Sequence, residues 1–219
     1  MSIAIFDLDN TLISNDSDYL WGEYLVTNNL VDSRWFAAEN KRFLDEYNSG
    51  NLQIKDWLDF QFKPLIDNNI DDLYKWRNDY VQTIIKPIVL SKGLEKVRYH
   101  QNNGDEVLII SATNYFITRP IANLFGIKTL LATKPEIKNN RYTGNIEGVI
   151  TFQSGKIVAL QDFLKQKNLE CETCYFYSDS HNDLPLLEKV SNPIAVDPDD
   201  KLRTIANNKN WEIISFRDK

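Results

Sequence analysis

Two aspartates two residues apart are the first residues in this chain that could do chemistry. They stand in Phe6-Asp7-Leu8-Asp9-Asn10-Thr11-Leu12, directly after an apolar run at residues 3–6. A buried strand that ends in a carboxylate pair delivers both groups to one crevice, because open α/β sheets bind ligands at the carboxyl ends of their strands. A carboxylate is a weak nucleophile until positive groups or a metal hold its target in line. With Asp7 as nucleophile, Asp9 can act as general acid on a leaving oxygen and then as general base on water. The competing reading is a strand-end turn, where Asp and Thr are common. The spacing favours chemistry.

Three further segments match this placement. Ser111 ends a β-branched run at 107–110. With Ala112 and the main-chain N–H groups of the next turn, its hydroxyl can hold a phosphate oxygen, although a helix N-cap explains it equally well alone. Lys156, in Ser154-Gly155-Lys156, is a phosphate-binding candidate that would also offset crowded carboxylates. A lysine alone is usually a solvated surface group. The fourth segment is Tyr175-Phe176-Tyr177-Ser178-Asp179-Ser180-His181-Asn182-Asp183. Magnesium takes few oxygen ligands and keeps its waters. Asp7, the main-chain carbonyl of Asp9, and Asp179 would supply such a set, with Asp183 orienting the ligands from behind. Capping of a helix near Leu184 is the alternative for Asp179 and Asp183. Together, so many like charges cost energy unless a cation joins them. Asn182, His181 and Asn114 are further candidates for the substrate pocket.

The elements that must position these residues follow from periodicity. Residues 14–88 read as about four helices, with Leu20, Tyr24 and Leu25, and then Leu73, Trp76, Tyr80 and Ile84, at helical spacing. Trp21, Trp35, Trp57 and Trp76 fall here and read as bundle core. After Pro87, strands and helices alternate: helices at 94–101, 120–124 and 155–167, strands at 107–110, 128–131, 174–177, 194–196 and 212–214, and a hairpin or flap at 141–152. The expected fold is therefore an α/β, Rossmann-like, doubly wound parallel sheet. Its core comprises 1–13 and 89–219, and an α-helical cap, 14–88, is inserted after the first strand.

The chain has 219 residues, 42% of them hydrophobic, and a formal charge of −6. The charge argues against nucleic acid as partner, and no stretch is long and apolar enough for a membrane span. Asp7 and Asp9 interrupt any apolar leader, so a cytoplasmic protein is expected. Cys171 and Cys174 lack the further ligands of a zinc site and read as plain structural thiols. His100, at a polar helix end, reads as solvated or capping.

The order Asp7-x-Asp9-x-Thr11, Ser111, Lys156, Asp179-x-x-x-Asp183 resembles the haloacid dehalogenase superfamily of phosphohydrolases. The helical insertion is similar to that of the subfamily containing phosphoserine phosphatase. The resemblance implies Mg²⁺ dependence, attack of Asp7 on phosphorus, Asp9 as acid and base, and a cap closing over the substrate. Because Asp9 is present, phosphoryl transfer is preferred over dehalogenation, which has no leaving alkoxide to protonate. Asn15-Asp16-Ser17-Asp18-Tyr19-Leu20-Trp21 and Val196-Asp197-Pro198-Asp199 resemble a narrower branch, some of whose members are thought to be histidinol-phosphate phosphatases. Phosphoserine phosphatases carry a glutamate nine residues after the nucleophile, where it meets the substrate amine. Asp16 stands there in this chain. Asp16 or Asp18 would pair with an ammonium group, or either would cap the first cap helix. The expected reaction is hydrolysis of a small phosphomonoester, histidinol phosphate or phosphoserine being the leading substrates. The rival is a regulatory module that binds phosphate esters without turnover, against which stands the complete set of catalytic groups.

Overall fold

A computed structural model describes residues 2–218. The first strand, β1, is Ser2–Phe6. The chain then builds α1 (Ser17–Thr27), α2 (Ser33–Ser49), α3 (Ile54–Asp67) and α4 (Ile70–Tyr80) before α5 (Ser91–Asn102). It continues through β2 (Glu106–Ser111), α6 (Tyr115–Leu124), β3 (Thr129–Ala132), β4 (Lys134–Lys138), β5 (Arg141–Glu147), α7 (Ser154–Lys167) and β6 (Thr173–Ser178). The final elements are α8 (Leu184–Leu187), β7 (Asn192–Val196), α9 (Asp200–Lys209) and β8 (Glu212–Ile214). Among the described residues, six strands form one parallel sheet in the order β3-β2-β1-β6-β7-β8. A parallel sheet is buried on both faces, and here the strand alternation divides the core into two layers. Ala4, Phe6, Val107 and Ile109 face α5, α6 and the helical insert. Ile3, Ile5, Leu108 and Ile110 face α7, α8 and α9. This is the Rossmann-like α/β architecture that the alternation of strands and helices implied.

The insert leaves and rejoins the sheet through a narrow neck. Ile13 bridges Val89, Ser14 N donates to Ile88 O at 2.9 Å, and Leu90 N donates to Leu12 O at 3.0 Å. Apolar residues of the insert, among them Trp21, Leu25, Phe43, Trp57 and Tyr80, belong to the same buried cluster as Phe6, Ile109 and Phe116. Trp35 departs from the bundle-core reading. It is 47% exposed and packs edge-on against Phe36 and Phe60 at the rim.

Other differences have local causes. The hairpin comprises β4 and β5, starting seven residues before the expected 141–152. Its turn is Asn139-Asn140, both at positive φ (50° and 59°), the primed geometry that hairpins favour. Gly144, in β5 at φ +85°, approaches α3 so closely that a Cβ there would lie 2.9 Å from Ile66 Cδ1. Helix α6 begins five residues earlier than expected, because Asn114 caps it by accepting from Ile117 N at 3.3 Å.

The plain-thiol reading of Cys171 and Cys174 is corrected. The turn entering β6 brings their Cα atoms to 5.9 Å, within bridging range, and the pair forms a disulfide. The solvated reading of His100 is also corrected. Its ring is buried, with Nδ1 2.7 Å from Asp105 Oδ2 and Nε2 2.8 Å from the Tyr177 hydroxyl. Among the described residues, no helix is long and apolar enough to cross a membrane.

Candidate active site

The parallel register brings the carboxyl ends of β1, β2 and β6 side by side, with Phe6 opposite Ile109 and Tyr177. Asp7 follows β1 and is 4% exposed, its N–H donating to Tyr177 O at 2.9 Å. Lys156, 1% exposed, enters from the first turn of α7 and donates to Asp7 Oδ1 at 2.7 Å and to Asp183 Oδ2 at 2.8 Å. Its neighbour must be glycine, since a Cβ on Gly155 would fall 1.9 Å from Ile150 O. Ser178 Oγ also donates to Asp183 Oδ2, at 2.7 Å. Asp183 therefore holds the lysine in place, and the lysine holds Asp7.

Asp9 is oriented from both sides. Its Oδ1 accepts from Ser17 N at 2.6 Å, and its Oδ2 accepts from Thr113 Oγ1 at 3.0 Å and Ser111 Oγ at 3.4 Å. Ala112 and Thr113 line a cavity with Asp7, Asp9, Asp16 and Asp18. Thr113 escaped the sequence reading. Its signal was a second hydroxyl two residues beyond Ser111, at the same strand end. Thr11 Oγ1 donates to Asp179 Oδ1 at 2.9 Å and accepts from Asp179 N at 3.1 Å, tying the first motif to the fourth.

Asp16 is the N-cap of α1, accepting from Asp18 N at 2.9 Å and Tyr19 N at 2.8 Å. Asp18 has no capping role. Asn182 donates to Tyr47 O at 3.1 Å, joining the β6 loop to α2. His181 turns its Nδ1 to Asp199 Oδ2 at 2.8 Å, where Asp199 caps α9. Neither Asn182 nor His181 is among the residues lining the cavity. Asn114 is likewise absent from that lining and serves as the α6 cap.

The electrostatics follow from crowding. Burial, together with Asp183 and Asp9, pushes Asp7 up to about 8 against the opposing pull of Lys156. Burial, and then Asp7, holds Asp179 well above the ordinary carboxylate range. Asp9 is raised by burial, with Ser17 and Thr113 opposing. Burial works against the charge on Lys156, but Asp183 and Asp7 outweigh it and keep the ammonium form. One lysine thus faces an excess of carboxylates. Among the described residues no three acidic, histidine or cysteine side chains form a closed metal cage. Magnesium needs only one or two carboxylates and retains water. Asp7 and Asp179, with the main-chain carbonyl of Asp9, fit that donor chemistry. The carboxylates of Asp9 and Asp183 are engaged elsewhere.

This excess has a measurable consequence without metal. A carboxyl whose folded pKa is raised binds more protons folded than unfolded, so stability falls as pH rises. For Asp7 the penalty is absent below about 4, the ordinary value, and complete above about 8. The melting temperature of chelated protein should therefore fall across that window. Added Mg²⁺ should raise it more at pH 8 than at pH 5. A Mg²⁺ response that is equal at both pH values would refute this account.

The chain matches the haloacid dehalogenase-like hydrolase family over residues 4–188. It is 40% identical to the histidinol-phosphatase of Neisseria meningitidis, with 99% of each chain covered. It is 28% identical to a phosphoserine phosphatase of Mycobacterium tuberculosis, covering 98% of this chain and 70% of the other. A crystal structure of a Bordetella pertussis Tohama I protein with unknown function superposes with TM-score 0.93 at 37% identity, covering 99% of both chains. A substrate-bound phosphoserine phosphatase superposes with TM-score 0.72 at 19% identity, covering 99% of this chain and 93% of the other. The last likeness concerns the fold. The family match takes in the carboxyl ends of β1, β2 and β6, which carry these acids, and the chain belongs to the haloacid dehalogenase-like hydrolases.

Proposed function

We propose that this protein is a Mg²⁺-dependent phosphomonoesterase for a small amino-alcohol phosphate, histidinol phosphate ahead of phosphoserine, working through an aspartyl-phosphate on Asp7. The observation that carries this reading is the buried Asp7–Lys156–Asp183 chain at the carboxyl edge of the sheet, with Asp9 held two residues away. The 40% identity to a histidinol-phosphatase supports the order of substrates.

In the first step an Asp7 oxygen forms a bond to phosphorus as the bond to the alcohol oxygen breaks, and Asp9 gives that oxygen its proton. In the second, Asp9 takes a proton from water, whose oxygen displaces Asp7 and releases inorganic phosphate. Ser17 N and Thr113 Oγ1 keep the Asp9 carboxylate aimed during both proton transfers. Lys156 offsets charge on the phosphoryl oxygens. Bound Mg²⁺, held by Asp7, Asp179 and the Asp9 carbonyl, would supply further charge neutralisation and in-line orientation. Residues 1–13 and 89–219 form the catalytic unit in this reading, and 14–88 form its cap. Tyr19, Phe43, Tyr47 and Trp57 of the insert wall the cavity and suit a flat side chain on the substrate.

The test is release of inorganic phosphate from a panel of histidinol phosphate, phosphoserine, sugar phosphates and nucleotides, with Mg²⁺ and with EDTA. Metal-dependent release led by histidinol phosphate is expected. Binding of these esters, seen as raised thermal stability without release, would replace the enzyme with a binding module.

A further inference from the structure

The turn that delivers Lys156 has a backbone conformation that its sequence does not favour. Gln153, immediately before α7, stands at φ +49° and ψ −120°. Gly155 N donates to Phe152 O at 2.9 Å, so Gln153 occupies the first central position of a type II′ turn. Glycine is the usual residue there, because a Cβ is crowded. The other described non-glycine residues at positive φ are all Asn or Asp, whose short polar side chains tolerate that region. Glutamine has no such allowance, and holding it there costs free energy that surrounding contacts must offset. Helix capping does not explain the choice, since Gln153 stands at the N-cap of α7 and makes no side-chain capping hydrogen bond.

Contacts grip this turn from several sides. Before it, Thr151 is buried, its Oγ1 donating to Ser111 O at 2.7 Å and its N–H to Thr133 Oγ1 at 3.1 Å. After it, the Gln153 carbonyl accepts from Lys156 N at 3.1 Å. Beside it, the Phe152 ring lies against Tyr47 of α2, with centroids 6.1 Å apart. The Gln153 amide turns away from the helix. Its Nε2 donates to Asn182 Oδ1 at 3.4 Å, and Asn182 Nδ2 donates to Tyr47 O at 3.1 Å. One chain of amides thus runs from the turn that carries Lys156, through the loop after β6, to the end of α2 in the insert.

We infer that Gln153 is a positioning residue: its side chain, anchored through Asn182 to Tyr47, holds the strained turn that sets the Lys156 ammonium between Asp7 and Asp183. This rests on the phosphatase reading above and adds to it a residue that is not among those lining the cavity and that acts through Lys156. Without the Asn182 anchor the Gln153 side chain no longer opposes relaxation of the turn, and the first turn of α7 shifts with it. A displacement of about 1 Å in a charge-stabilising group is enough to slow turnover.

The experiment compares wild type, Gln153→Gly and Gln153→Asn by thermal melts and by phosphate release from the best ester of the panel. Glycine relieves the turn, so Gln153→Gly should melt about 2 °C or more above wild type. Its kcat should nevertheless fall about tenfold, with KM changed by less than about twofold. Gln153→Asn accepts positive φ but is one methylene short of Asn182, and it should lose kcat similarly. In a Lys156→Met background, Gln153→Gly should cost no further activity, because the residue acts through that lysine. A merely structural residue would lose stability and activity together. Three results would each overturn the assignment and leave the phosphatase reading standing. They are Gln153→Gly melting no higher than wild type, either variant keeping kcat within about twofold, or a loss that persists without Lys156. No phosphate release by wild type from any ester would remove that reading, and this inference with it.

Discussion

Asp7→Asn should lower kcat by at least about 10⁴-fold, the scale of removing a nucleophile that acts with its partners as a unit. The amide keeps the size of the carboxylate and leaves an oxygen that can still accept from Lys156 Nζ, now 2.7 Å from Oδ1. It is not nucleophilic toward phosphorus. The loss therefore belongs to chemistry, and KM should change little. Stability should move the other way. Asp7 is raised to about 8 by burial and by Asp183 and Asp9, so a neutral side chain removes a repulsion from metal-free protein. At pH 8 without metal the variant should melt above wild type, and the downward slope between about 4 and about 8 should flatten. Single-turnover phosphate release and thermal melts check both halves. Activity within tenfold of wild type would place the nucleophile elsewhere.

Lys156→Met should cost about 3–5 kcal/mol, because it leaves buried carboxylates without their counter-charge. For a chain of this length that is a fall of about 10 °C in melting temperature. The side chain is 1% exposed and touches both Asp7 and Asp183, so solvent cannot compensate as it would for a surface pair. The deficit should shrink on acidification, as Asp7 takes up a proton. Turnover should fall by about 10²–10³-fold as one source of phosphoryl charge stabilisation disappears. Arginine should not rescue, since the planar guanidinium does not fit a pocket shaped for a single ammonium. A variant that melts within a degree of wild type would show that the lysine is not what holds these acids together.

The legible part of this protein was what periodicity and strand-end chemistry encode. The apolar run before Asp7, the β-branched run before Ser111 and the aromatic run before Asp179 each became a central parallel strand. The acids therefore met as their positions implied. The less legible part depended on partners far apart in the chain. His100 looked like a surface residue because its buried partner, Tyr177, is 77 positions away. Asp16 and Asp18 both fit an N-cap pattern, and only the observed geometry gave the cap to Asp16. Thr113 earned no notice because hydroxyls are frequent after strands, and its role appears only when Asp9 is beside it. The hairpin starts before the expected 141–152 because its turn is Asn139-Asn140, while Gly144 lies inside β5, where an added Cβ would crowd Ile66.

The neck at Ile13 and Val89 joins an insert whose apolar side chains share one cluster with the upper face of the sheet. The strand halves that flank the insert in sequence, β1 and β2, are hydrogen-bonded neighbours. The two parts share interior contacts, with Trp21 of the insert packing edge-on against Phe116 of α6. Because the two parts share this cluster, a loss of packing in one should weaken the other. During synthesis the insert is complete at residue 88, ahead of β2 at Glu106 and β6 at Thr173, so the apolar surface it shares with the sheet is covered only when those later strands arrive.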